Sequence, residues 1–128
     1  MNKLNFHAID LAARVERLAD SEIDDLPFGV IKLRADHVVE KYSKCEARLS
    51  GYGSRPALGL DYFINVAPCM GAPAYKGRIE QALRSGKVDI EMSWIGDFED
   101  REREMNVRIQ SAEDGGLWIF TQRPDAAG

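Results

Sequence analysis

Two runs in the last third of the chain alternate apolar and polar residues, a pattern that a helix cannot bury. Val88, Ile90, Met92 and Trp94 are separated by Asp89, Glu91 and Ser93, and Met105, Val107 and Ile109 alternate with Asn106, Arg108 and Gln110. A period of two puts each apolar set on one face of a strand. Leu117 to Phe120 makes a third strand, and the preceding Asp114-Gly115-Gly116 suits a hairpin turn. A mixed-charge connection, Asp97 to Glu104, separates the first two and reads as a solvated loop. The C-terminal part of this chain is therefore an antiparallel sheet.

Upstream, Phe28–Leu33 and Val38–Tyr42 are β-rich runs separated by Arg34-Ala35-Asp36, which suggests a further hairpin. Residues 8–19 read as one helix with a narrow apolar stripe of Leu11, Val15 and Leu18, lying loosely on the domain. Pro27 ends that lead-in. Ser43 is placed to cap a short helix running to Leu49. Residues 57–66 read as short helical turns, and a clearer helix runs from Pro73 to about Ser85. Tyr75, Ile79, Ala82 and Leu83 form its stripe, Glu80 and Arg84 an i, i+4 pair, and Gly86 its C′ residue. The order predicts an α+β domain with about five antiparallel strands and helices covering the other face.

The 128 residues fit one domain with a real core. A net charge of −4 argues against a nucleic-acid or anionic-membrane partner. No window approaches the ~18 apolar residues of a membrane span, and MNKLNFHAID lacks the apolar segment of a signal peptide, so a cytoplasmic protein is expected. The two cysteines, Cys45 and Cys69, are then expected to be reduced, and neither they nor His7 and His37 show metal-ligand spacing.

Cys69 is the residue with the strongest claim to chemistry. It sits in Pro68-Cys69-Met70-Gly71-Ala72-Pro73, backbone that cannot continue as regular structure, although many lone cysteines are simply buried. Cys45 reads as a core residue of its helix, stacked with Leu49. Tyr42 and Glu46, four residues apart across a helix start, can point at one spot and cradle an anion, Glu46 donating only if protonated. The plain alternative is a strand-end tyrosine and a solvated carboxylate. A thiol enzyme using Cys69 lacks a partner, because neither histidine sits in a recognisable base motif.

Phe28-Gly29, Tyr42 with Glu46, Gly59 through Val66-Ala67-Pro68-Cys69, Ser85-Gly86, and Trp118-Ile119-Phe120 ending near Arg123 together resemble the photoactive yellow protein family. The likeness spans almost the whole chain; Val-Ala-Pro-Cys after the aromatic pair Tyr62-Phe63 is its most specific piece. It implies a PAS fold, with residues 1–25 as an N-terminal helical cap, 26–124 as the core and 125–128 as a frayed tail. It also implies a blue-light receptor, not an enzyme, whose pigment is p-coumaric acid (4-hydroxycinnamic acid) held as a thioester on Cys69. Tyr42 and Glu46 would hydrogen-bond the phenolate, with Ser50, where the family usually has threonine, supporting Tyr42.

The resemblance further implies signalling by isomerisation, proton transfer from Glu46 and partial unfolding. The readout would pass to an unidentified downstream protein from a monomer or weak dimer. This chain departs from the family at Tyr52, where an arginine commonly shields the pigment. It departs again at Phe98 and Asp100, where tyrosine and methionine are frequent, and at Gly96, which replaces a bulky apolar residue. Arg48 and Arg55 read as solvated. The alternative reading is a pigment-free PAS module that binds a small ligand or dimerises.

Overall fold

The computed structural model describes residues 5–50, 53, 57–66, 73–84, 86–95 and 104–123. Two short helices, α1 (Leu11–Val15) and α2 (Asp20–Asp24), precede the hairpin β1 (Gly29–Leu33) and β2 (Val39–Tyr42). Helix α3 (Lys44–Ser50), a π-helical turn (Tyr62–Val66) and α4 (Pro73–Arg84) follow. Strands β3 (Asp89–Ile95), β4 (Glu104–Ser111) and β5 (Leu117–Gln122) complete one antiparallel sheet in the order β2-β1-β5-β4-β3. The sequence thus closes its sheet by pairing the first strand with the last, Gly29 opposite Thr121 and Leu33 opposite Leu117. No described helix is long and apolar enough to cross a membrane.

The helices cover both faces of the sheet, where the sequence pattern alone suggested one. Ile31, Leu33, Ile109, Leu117 and Ile119 pack with Tyr62, Phe63, Val66 and Ile79 on what we call the inner face. Val30, Trp118 and Phe120 pack with Phe6, Leu11, Val15, Ile23 and Phe28 on the outer face. The reason lies in the central strands. GVIKL and LWIF are continuous apolar runs, not alternating ones, and such strands are buried on both sides. Lys32 is the polar exception on β1. Its ammonium is nearly buried, lies 5.8 Å from the centre of the Trp118 ring, and donates to Glu40 at 2.9 Å and Asp114 at 2.8 Å.

The helix expected over residues 8–19 is two helices. Arg17 and Leu18 close on Arg14 and Val15 by i to i−3 bonds that tighten and end α1. A new start follows, with the Ala19 amide donating to Glu22 Oε1 at 2.9 Å. The segment is also more firmly held than its narrow stripe suggests. Arg108 Nη1 donates to the carbonyls of Phe6 (2.6 Å) and Ala8 (2.7 Å). Gln110 Nε2 donates to the Ile9 carbonyl (3.0 Å), and Gln110 Oε1 accepts from the Ala12 amide (2.8 Å). The polar side of β4, which alternation alone would turn to solvent, therefore grips the N-terminal segment.

Elsewhere the pattern and structure agree closely. Ile79 is fully buried and Ala82 packs on the inner core, whereas Leu83, expected in the same stripe, is exposed. Gly86 has φ +96°, the left-handed conformation expected just past a helix. The turn before β5 needs glycine at residue 116, because a Cβ there would sit 2.1 Å from the Leu33 carbonyl oxygen. The side chains of Leu49, Tyr75 and Trp94, and Ser85 and residues 97–103, lie outside what the structure describes.

Candidate functional site

The site is assembled from the end of β2, the first turns of α3 and the end of β5. β1 pairs with β2 only as far as Ile31 opposite Tyr42, which leaves the Val30 amide and carbonyl for the next segment. Ser43 takes both: its amide donates to the Val30 carbonyl at 2.9 Å, and its Oγ accepts from the Val30 amide at 3.1 Å. The same Oγ accepts from the Glu46 amide at 3.1 Å, so Ser43 caps α3 at the position its sequence predicts. Asp24 of α2 accepts from the Lys44 amide at 2.9 Å, tying the N-terminal helices to the start of α3. These bonds fix the direction in which Glu46 leaves the helix.

Glu46 points inward and is almost completely buried. Its Oε1 accepts from the Thr121 hydroxyl and from Arg123 Nη1 at 2.9 Å, and its Oε2 accepts from Arg123 Nη2 at 3.0 Å. Arg123 Nη1 also reaches Thr121 Oγ1 at 3.1 Å. The side chains of Arg123 and Glu46 are 1% and 5% exposed, so this two-pronged ion pair is desolvated. A carboxylate offers about four lone-pair positions, and among the described residues the donors use three, leaving one on Oε2 for a further donor. Gly29 makes the space. A Cβ on it would fall 2.0 Å from Glu46 Oε1 and 2.2 Å from Thr121 Oγ1.

Tyr42 is half-buried against the inner core beside its cross-strand partner Ile31. Ser50, the last residue of α3, is fully buried. The structure thus puts Tyr42 and Glu46 on the same side of the sheet, and Ser50 follows Glu46 by four residues on α3. Cys45 is buried with a free thiol. Burial pushes that thiol up, opposed by the positive charge of Arg48 and reinforced by Glu46, with Arg123 also opposing. This makes Cys45 a core residue and a poor nucleophile. Arg48 is exposed, as its sequence context suggests, and Arg55 lies outside the described residues.

Cys69, Tyr52, Gly96, Phe98 and Asp100 also lie outside the described residues, but the entry to the Cys69 loop does not. The Val39 amide donates to the Leu60 carbonyl and the Gly59 amide to the Val39 carbonyl, both at 2.9 Å. Asp61 Oδ1 then accepts from the Ile64 amide at 3.0 Å, while Asn65 Oδ1 accepts from the Asp61 amide at 3.2 Å. Tyr62 and Phe63 are buried with rings 5.3 Å apart, edge to face. The helical turns expected over 57–66 are this single wide turn. It is pinned to β2, the strand that ends in Tyr42, and it finishes at Val66, three residues before Cys69.

Sequence reasoning gave no role to Thr121 and Arg123. The signal was available in the parity of β5, since Leu117, Ile119, Thr121 and Arg123 share the inner face while Trp118 and Phe120 take the outer one. A buried strand that ends in arginine on its core side requires a buried acid, and Glu46 supplies it.

Fold and site together define a PAS sensory domain. PAS domains from Colwellia psychrerythraea and from the Cronobacter turicensis RpfR receptor superpose with TM-scores of 0.59 each at 14% identity, covering 88% and 78% of this chain and 95% and 96% of theirs. The photoactive yellow protein domain of the sensor histidine kinase Ppr from Rhodospirillum centenum superposes with a TM-score of 0.78 at 30% identity, over 88% of this chain and 99% of that domain. Photoactive yellow protein from Halochromatium salexigens is 26% identical over 124 residues, 96% of this chain and 99% of that protein. No family model matches the chain. The chain belongs to the photoactive yellow protein family.

Proposed function

We propose that this chain is a light receptor that carries a p-coumaroyl group as a thioester on Cys69, with the phenolic end directed to Tyr42 and Glu46. The observation that carries the reading is the buried Glu46 carboxylate on the inner face, which among the described residues keeps one acceptor position for an O–H or N–H donor. Family membership supports the choice of pigment. When bound, the group supplies a double bond that isomerises in light and a phenolic oxygen that can exchange a proton.

The residues of the chain do the rest. Cys69 takes the acyl group from an activated ester, its thiol proton leaving with the displaced group. Tyr42 donates its hydroxyl to the phenolic oxygen, and Ser50 steadies Tyr42. Glu46 gives or takes the proton at its open position on Oε2. A carboxylate left there is not stranded, because Arg123 already lies against it. Ser43 and Asp24 connect the start of α3 to β1 and α2, so a movement of Glu46 is passed to the N-terminal helices. Those helices form the surface that a downstream protein would read.

Reconstitution tests the reading. The pigment-free protein is mixed with activated p-coumarate, and intact mass and absorption are recorded in darkness and in light. One added hydroxycinnamoyl group and a band bleached by light are expected, and both must be lost in Cys69→Ala. A wild type that takes up no group overturns the reading, and dimerisation through residues 8–19 in such a protein would point to a pigment-free interaction module.

A further inference from the structure

We infer that the groove between the N-terminal helices and β2 is the docking site for a basic segment of a partner protein. That this partner reads the light signal rests on the function proposed above; the groove and its charge do not. Two clefts of about 150 and 260 Å³ lie there and share Ile23, Glu40 and Lys41. One reaches Tyr42, Ser43 and Leu58, the other Trp118 on β5. Each is smaller than the ~300–1,000 Å³ of a usual small-molecule pocket, and two adjoining recesses suit successive side chains of one segment.

Charge selects the class of segment. Glu16, Asp20, Asp24, Glu40, Glu113 and Asp114 line the groove against two lysines, Lys32 and Lys41, a net of −4. The whole chain has 21 acidic and 17 basic residues, so outside the groove 15 of each sign cancel. The groove therefore carries the net charge of the protein. Lys32 is 5% exposed and lies beneath Glu40 and Asp114, while Asp114 keeps 58% of its side chain in solvent. Lys41 meets Asp20, whose side chain is 78% exposed. A cationic side chain arriving from solvent thus meets carboxylates first.

The floor supplies the rest. Val15, Leu18 and Ile23 are apolar walls of the larger cleft, and Leu58, itself well exposed, is an apolar contact in the smaller one. Trp118 also lines the larger cleft, and its buried indole N–H has no hydrogen-bond partner among the described residues. Buried donors are rarely left without an acceptor. An extended segment brings backbone carbonyls as well as side chains, so one carbonyl can meet that N–H while lysine or arginine reaches the rim.

Other occupants fit less well. Nucleic acid and anionic lipid are repelled by the same charge. Among the described residues, no group of acids, cysteines and histidines is placed to hold a metal ion. The groove also adjoins the candidate site, since Tyr42 and Ser43 line it and Ser43 caps α3.

Amide and indole N–H signals of the full chain, followed by NMR in darkness and without pigment, test the inference. The ligand used is a peptide of alternating lysine and leucine capped at both ends; its counterpart with glutamate for lysine is the control. The lysine peptide should shift the amides of Ile23, Glu40 and Lys41 and the Trp118 indole. Trp118→Phe identifies that indole by removing one of the chain's two such signals. Should Trp118→Phe not fold, Trp94→Phe makes the same assignment. Glu113→Lys, at an exposed position, should weaken binding about threefold or more, and added salt should weaken it further. No shifts, equal shifts with the glutamate peptide, or an unchanged affinity in Glu113→Lys overturns the docking site. An unmoved Trp118 indole overturns the carbonyl contact. The same shifts on concentrating the chain alone overturn the partner in favour of a second copy. A chain that takes up no pigment overturns the proposed function and leaves this result standing.

Discussion

Gly29 and Glu46 occupy one volume in turn: the hydrogen on the glycine stands where any larger group would strike the carboxylate, 2.0 Å from the Cβ position. Glu46 cannot step aside without leaving Arg123 and Thr121. Gly29→Ala is therefore expected to destabilise the fold by about 1–3 kcal/mol, the usual cost of overpacking. Urea unfolding measures it. A midpoint unchanged from wild type would show that the carboxylate has room to move.

Glu46 and Arg123 should be strongly coupled. Removing one partner of a buried pair costs about 3–5 kcal/mol, because the other is left uncompensated, while replacing both with neutral groups costs much less. Arg123→Gln and Glu46→Gln are each expected to be more damaging than the double variant is relative to either one. Additive losses in a double-mutant cycle would mean that the pair is not acting as a unit.

The grip of β4 on the N-terminal segment predicts a local effect. Arg108→Ala removes charge-assisted bonds to the Phe6 and Ala8 carbonyls, each worth about 1.5–3 kcal/mol. Amide exchange should speed up over residues 8–18 while the amides of β1 and β5 stay protected. A uniform rise across the whole chain would instead show that the segment and the sheet unfold together.

Lys32 and Asp114 predict the pH response. Lys32 bonds hold the Asp114 carboxyl below its usual range, aided by the Gly116 amide. The stability it contributes is present above the unfolded carboxylate pKa of about 3.9 and is lost as pH falls through the lower folded value. For Lys32, burial pulls the pKa down, but bonds to Asp114 and Glu40 outweigh it and the net shift is upward. Its contribution is complete below about pH 10.4 and is lost as pH rises through the higher folded value. Asp114→Asn should lie below wild type at neutral pH, and the gap should close toward pH 3. Asp114 is largely exposed, so salt should shrink the gap. A gap independent of pH would exclude the pair as its source.

Much of the fold was legible in the sequence. The alternating runs located β3 and β4, Ser43 located the start of α3, and Gly86 the end of α4, because each rests on local geometry that tertiary contacts need not alter. The break between α1 and α2 was not legible. Leu18 keeps the helical spacing from Leu11, and only the Ala19–Glu22 bond reveals the new start. Polar positions were the harder problem. Arg108 and Gln110 follow an outward alternation yet are buried, since the N-terminal segment brings its own carbonyls to them. In the site, spacing placed Tyr42 and Glu46 together at the start of α3, but the ion pair joins residues 77 apart in sequence, and no local rule reports a contact of that range.

Strand β5 touches the candidate pigment side through Thr121, with Arg123 just beyond it, and the N-terminal helices through Trp118 and Phe120. Six residues thus serve two neighbourhoods, and every second one answers to a different set of contacts. A substitution that suits one side must also leave the strand's twist acceptable to the other. Relatives that retune the pigment through this strand should therefore carry matching changes at Phe6, Leu11 or Phe28, a pairing that an alignment of the family can reveal without any measurement of light.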